Sequence, residues 1–202
     1  MQKINVKYYA YLFLTTVVIT VCSCSYFGGS EYSRLVKKEL ATGKRNDSLF
    51  MGIYIGMPVK AFYDYCWKMN KTGSFTNGTS GVSVMYKIPK DLRYPVTMNF
   101  FPTFYEDKAS GMWATYEYDA WAPWNKGLFS DSLLPNILRM YKQWYGGNDF
   151  ITITEKNKAP IYVKVDGNRR ITIGLFSERI VKVDCTDLLI EEKLKSKSKK
   201  AA

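Results

Sequence analysis

The feature that most constrains this chain is a series of short stretches in which apolar and polar residues alternate. Val82, Val84, Tyr86 and Ile88 alternate with Ser83, Met85 and Lys87. Val96, Met98 and Phe100 alternate with Thr97 and Asn99, and Met112, Ala114, Tyr116 and Tyr118 with Trp113, Thr115, Glu117 and Asp119. A second set follows: Ile151 and Ile153, then Ile161, Val163 and Val165, then Ile171, Ile173 and Leu175, then Val181, Val183 and Cys185. A period of two with one polar side predicts antiparallel strands covered on one face only. Asp166-Gly167-Asn168, between two of these runs, predicts a tight hairpin turn.

Each set is preceded by a helical pattern. Leu49–Ile55 reads as a short apolar strand that Gly56 breaks, and Pro58 suits a first helical position, where its missing N–H costs nothing. Val59, Phe62, Tyr63, Cys66 and Met69 then fall on one helical face. Lys71–Gly81 is rich in Gly, Asn and Thr and reads as a loop. The second helix carries Leu133, Leu134, Ile137, Leu138, Tyr141, Trp144 and Tyr145 on a broad apolar face. Asp131 or Ser132 can cap it, and Gly146-Gly147 stops it. The expected fold is α+β: tandem helix-plus-three-strand units, 49–120 and 128–190, forming one domain (49–190) with a mostly antiparallel sheet and both helices on one face. Residues 24–48 are expected to be a tether followed by a helix over Glu31–Thr42, capped by Ser30 and ended by Gly43. Residues 191–202 form a basic tail too polar to order itself.

The first 23 residues read as an export signal. Lys3 and Lys7 precede an apolar run, Tyr8–Val21, that is too short and too interrupted by threonine for a membrane span. Val21-Cys22-Ser23-Cys24 resembles a bacterial lipobox, with a small residue before the cysteine that takes the lipid. The resemblance implies acylation of Cys24, a mature chain anchored to the membrane, and outer-membrane sorting, because Ser25 rather than Asp follows. The alternative is an ordinary secretory signal cleaved nearby. The formal net charge is +11, of which Lys3 and Lys7 carry two, and five lysines lie in 193–200. No basic stripe with interleaved aromatics accompanies this charge, which argues against nucleic acid. The charge suits an anionic membrane or glycan surface, or simply a solvated surface with a basic tail.

The Gly56-Met57 turn between strand and helix resembles the entry motif of SmpA/OmlA-type outer-membrane lipoproteins over Ile53–Trp67. After the helix this chain has Met69-Asn70-Lys71-Thr72-Gly73 in place of the Gly-x-Pro turn of those proteins. The helix-and-sheet tandem is similar to the beta-lactamase-inhibitor-protein architecture. The chain also resembles uncharacterised lipoproteins of Gram-negative bacteria. These likenesses imply an envelope protein without assigning it an activity.

Chemistry-bearing patterns are few. With no histidine, with Cys22 in the leader and with Cys24 taken by the lipid, only Cys66 and Cys185 remain, too little for zinc or Cys–His catalysis. We expect them to be free thiols. Glu117 with Asp119, and Asp184 with Asp187, are the acid pairs from which an exported hydrolase acting on envelope or glycan substrates would draw. That hydrolase is the alternative to a non-catalytic module, and no catalytic residue, metal or cofactor is assigned. The polar parity of the strands is more telling: Met85, Lys87, Asn99, Phe101, Trp113, Thr115, Glu117, Trp121, Tyr162, Lys164, Arg170, Thr172 and Lys182. It holds more aromatic area than solubility requires. The expectation is a lipid-anchored binding or assembly module whose ligand-binding residues are Phe101, Trp113, Trp121, Tyr162, Lys164 and Arg170, facing an envelope protein or glycan. A covering loop over Phe101–Lys108, or self-association through the same face, is the competing arrangement.

Overall fold

The computed structural model describes residues 31–78, 81–89 and 92–201. The leader, Cys24, the tether and the Ser30 cap lie outside the described residues. The chain divides into two compact units, 1–37 and 38–202. Of the first unit, the described part is the start of helix α1 (Glu31–Ala41), which carries no buried residue.

The second unit is built on an eight-stranded antiparallel sheet in the order β3-β4-β5-β6-β10-β9-β8-β7. Its strands are β3 (Thr76–Asn77), β4 (Val84–Lys87), β5 (Val96–Tyr105), β6 (Lys108–Tyr118), β7 (Ile151–Ile153), β8 (Ile161–Asp166), β9 (Arg169–Leu175) and β10 (Val181–Asp187). Each half is a helix followed by a meander of four strands, and the halves meet where their last strands, β6 and β10, pair. The α+β class is as the alternation predicts. The extra strand of the first half, β3, is two residues of the segment expected to be loop.

Three local differences from the sequence reading have plain causes. Leu49–Ile55 is a hairpin of β1 (Ser48–Phe50) and β2 (Ile53–Tyr54), because Met51 and Gly52 take positive φ and reverse the chain. Phe101–Lys108 is no covering loop. β5 runs on to Tyr105, and Glu106 and Asp107, both at positive φ, form the tight turn into β6. The basic tail is helix α4 (Leu188–Ala201), tied down by ion pairs of Lys193 and Lys197 with Glu106 and of Glu191 with Arg170.

One face of the sheet carries the core. Helix α3 (Ser130–Tyr145) lays Leu133, Ile137 and Tyr141 across Ala114 and Tyr116 of β6, Ile171 and Ile173 of β9, and Val181 and Val183 of β10, all of them buried. Each buried Leu, Ile or Val among them contributes about 1.5–3 kcal/mol by leaving water. The two buried phenols, Tyr116 and Tyr141, satisfy one another at 2.8 Å. The same face takes an aromatic cluster in which Phe50 and Phe75 pack edge-on against Phe100 at 5.3 Å. Helix α2 (Val59–Lys71) sits where β5 runs past the end of β4, and its buried Phe62 meets Phe101 and Phe104. Tyr65 packs against Phe75 on this side, whereas Tyr63, expected on the apolar face, is 54% exposed.

Candidate functional site

The opposite face of the sheet is where sequence reasoning placed the functional surface. Directly paired residues of antiparallel strands share a face, so the ladders define it row by row. One row runs Phe101–Trp113–Asp184–Thr172–Val163 and the next Met85–Asn99–Thr115–Lys182–Gly174. A third joins Lys87, Thr97 and Glu117. The row Thr103–Gly111–Thr186–Arg170 lies on the same side, and α4 crosses it. Ile190, Glu191 and Leu194 stand with Thr103, Gly111 and Thr186 around one shallow cavity, and Glu191 reaches Arg170 at 2.7 Å. Gly111 has no room for a side chain, because a Cβ there would run into the Cys185 carbonyl.

The structure thus brings together Phe101, Trp113 and Arg170 on one face, with Phe101 and Trp113 adjacent in the ladder. Phe101 also turns its ring to Phe62 of α2 at 5.4 Å. Trp121 lies past the end of β6 and is not an anchor on the open face. Its ring packs on Phe129 at 5.8 Å, under the Arg179 guanidinium at 5.6 Å, and its indole nitrogen is buried.

Tyr162 and Lys164 do not belong to the open face. They pair with Ile173 and Ile171, whose side chains face α3, so they occupy the core side. Lys164 is 0% exposed, with its ammonium 2.8 Å from the Asp166 carboxylate and donating to the Asn148 carbonyl. Asp166 also accepts from the Asn148 amide at 2.8 Å and lies 3.8 Å from Arg169. The alternation misleads here because Val163 and Val165, on the open side, are buried as well, so β8 has no polar face.

This buried polar knot extends around the hairpin turn. Asn168 accepts from the Asn46 amide at 2.6 Å and donates to Asp47 at 3.2 Å. Arg169 donates to the Ser48 carbonyl at 2.6 Å and stacks on Tyr145 at 4.5 Å. It fastens the segment before β1 and the end of α3 to the β8–β9 turn, which is a structural role. Sequence reading missed it. The only local signal was a lysine two residues from an aspartate in the first strand of the hairpin.

The open face has compensated charges. Lys87 pairs with Asp119 at 2.7 Å, Glu117 with Arg179 at 2.5 Å, Lys182 with Asp184 at 3.1 Å and Arg170 with Glu191. Arg170, and Lys164 on the core side, are thus each held by a carboxylate of the chain itself. The acid pairs are spent in the same way. Burial pushes Asp119 up, but hydrogen bonds from Lys87 and Thr97 outweigh it and hold the carboxyl below its usual value. Glu106, which accepts from Tyr105 and then from Lys193 and Lys197, falls to about 2. For Asp119 this downward direction is the wrong one for a glycosidase general acid. Cys66 and Cys185 are free thiols, pushed by burial to about 11 and about 12, out of the range of useful thiolates. Among the described residues, no group of three or more Cys, Asp or Glu could hold a metal ion. No helix among them is long and apolar enough to cross a membrane.

Comparison with known proteins finds no match for this chain among family models, curated proteins or solved structures.

Proposed function

We propose that this chain is a non-catalytic binding or assembly module held at the cell envelope by a lipid on Cys24, with the open sheet face as its contact surface for another envelope protein. The observation that carries the reading is the row Trp113–Asp184–Thr172, which stays partly exposed between α4, over the neighbouring row, and the contact of Phe101 with Phe62 of α2. Across the five strands β4, β5, β6, β10 and β9, at ~4.8 Å spacing, this face is about 19 Å wide, because β8 is buried on this side at Val163 and Val165. Along the strands, at ~3.4 Å per residue, Thr97 to Phe101 covers about 14 Å. That is about 270 Å² on this chain, well below the ~800 Å² per partner of a standard stable interface, so the contact is a small one.

Charge compensation fits the same conclusion. A face whose ions are already paired selects its partner by shape and by the Trp113 anchor, with little help from long-range attraction. The hydrolase alternative has less support, since its acid pairs are engaged with Lys87, Arg179, Lys182 and Arg45.

The test has two arms. Cys24→Ala should leave the protein in the soluble fraction or block its maturation, since acyl chains contribute ~0.8 kcal/mol per buried CH₂. Membrane association of the processed form that survives a salt wash in this variant rejects the anchor. Trp113→Ala should weaken capture of the native partner by about 30-fold, the equivalent of ~2 kcal/mol at a hot spot. Capture at wild-type strength rejects the face.

A further inference from the structure

On the core side, away from the open face, α3 presents a second surface that the binding reading does not use. Asn136, Arg139, Gln143 and Trp144 fall on one stripe of the helix and face Tyr86 and Leu92 across a cleft of about 370 Å³. Trp144 and Tyr86 also line an adjoining cavity of about 330 Å³ that reaches the β1–β2 hairpin at Phe50 and Met51. Both volumes fall in the range of small-molecule sites.

The lining has a definite chemistry. Trp144 is 41% exposed and is held in place by Phe50 at 5.5 Å and Tyr141 at 5.4 Å, so its ring is a fixed platform and not a mobile surface group. Tyr86 is fixed in turn by the edge-on contact with Phe50 at 5.2 Å. Beside these rings stand two amides and one guanidinium, all planar side chains with several hydrogen-bonding groups each. Among the described residues, Arg139 is the only charged residue lining either cavity, and none of them brings a carboxylate to the lining.

From this lining we infer that the cleft is a binding site for an acidic saccharide. The aromatic rings would take the apolar C–H face of a sugar ring. Asn136 and Gln143 would exchange hydrogen bonds with vicinal hydroxyls, and Arg139 would take the carboxylate in a bidentate pair. The adjoining cavity allows a second sugar unit to continue past Trp144 towards the hairpin. The site is independent of the open sheet face, so either can fail without the other.

The test is an NMR titration of the ¹⁵N-labelled full chain with digalacturonate, followed through the Trp144 indole N–H and the α3 amides. Saturable shifts confined to α3, Tyr86 and the β1–β2 hairpin are expected. Arg139→Gln, an exposed substitution that keeps the helix, should weaken binding by about 10-fold or more, because it removes a charge-assisted pair. A neutral disaccharide of the same size should bind correspondingly more weakly, and the dipeptide Glu-Glu should not compete. No saturable shift at 10 mM ligand, shifts that map to the open sheet face, unchanged affinity in Arg139→Gln, equal affinity for the neutral sugar, or competition by Glu-Glu would each overturn the inference.

Discussion

Replacing Lys164 by Met separates the structure from the sequence alternation most sharply. On a solvated sheet face the change would stay within about 0.5 kcal/mol. In the structure the ammonium is fully buried, 2.8 Å from Asp166 and hydrogen-bonded to the Asn148 carbonyl. Without it, Asp166 is a buried anion left with one amide donor at 2.8 Å and a single, longer ion pair, to Arg169 at 3.8 Å. Breaking a buried pair by removing one partner costs about 3–5 kcal/mol. At about 2–4 °C per kcal/mol for a domain of this size, the melting temperature should fall by about 6–20 °C. Urea denaturation followed by far-UV circular dichroism measures the loss. Lys182→Met, which removes a half-exposed pair with Asp184, is the control and should cost about 1 kcal/mol or less. The double variant Lys164→Met with Asp166→Asn should cost less than the sum of the single changes. A Lys164→Met protein within about 1 kcal/mol of wild type would refute the placement of β8.

Other outcomes follow from the core and the tail. Phe62→Ala should cost about 3–5 kcal/mol and Ile137→Ala about 2–5 kcal/mol, since both are buried at helix–sheet contacts, and thermal melts read the loss. The pairing of α4 with the β5–β6 turn should depend on acid. The Glu106 carboxyl is depressed from 4.5 to about 2, so its contribution is complete above about pH 4.5 and drains away as pH falls towards 2. Amide-exchange protection at the lysine-rich end of α4 should fall across that window while the core strands remain protected.

Most of the architecture is legible in the alternation. The paired strands of each half and the hairpin at Gly167 follow from period two and turn chemistry, and the face containing Met85, Asn99, Trp113, Thr115 and Lys182 follows from parity alone. Parity fails at β8, where both sides are buried and a lysine with an internal partner looks like a surface residue. It also fails beyond strand ends: Trp121 continues the parity of β6 on paper, but the strand has ended at Tyr118 and the chain has turned. The lysine-rich tail was unreadable as a helix because its order comes from partners far away in sequence, Glu106 and Arg170. The α3 cleft was hidden for a related reason. Trp144 belongs to the helix's apolar face, yet its neighbours leave a gap beside it that no periodicity records.

The central claim, that the open sheet face is the contact surface, is tested most directly by site-specific photo-cross-linking in intact cells. A photoreactive phenylalanine analogue replaces Thr115, beside Trp113 on β6, or Asp64 on the exposed side of α2 as the control. The account predicts one discrete adduct from position 115, absent from position 64 and lost when Trp113 is also changed to Ala. No adduct at 115, or the same adduct from both positions, would contradict it.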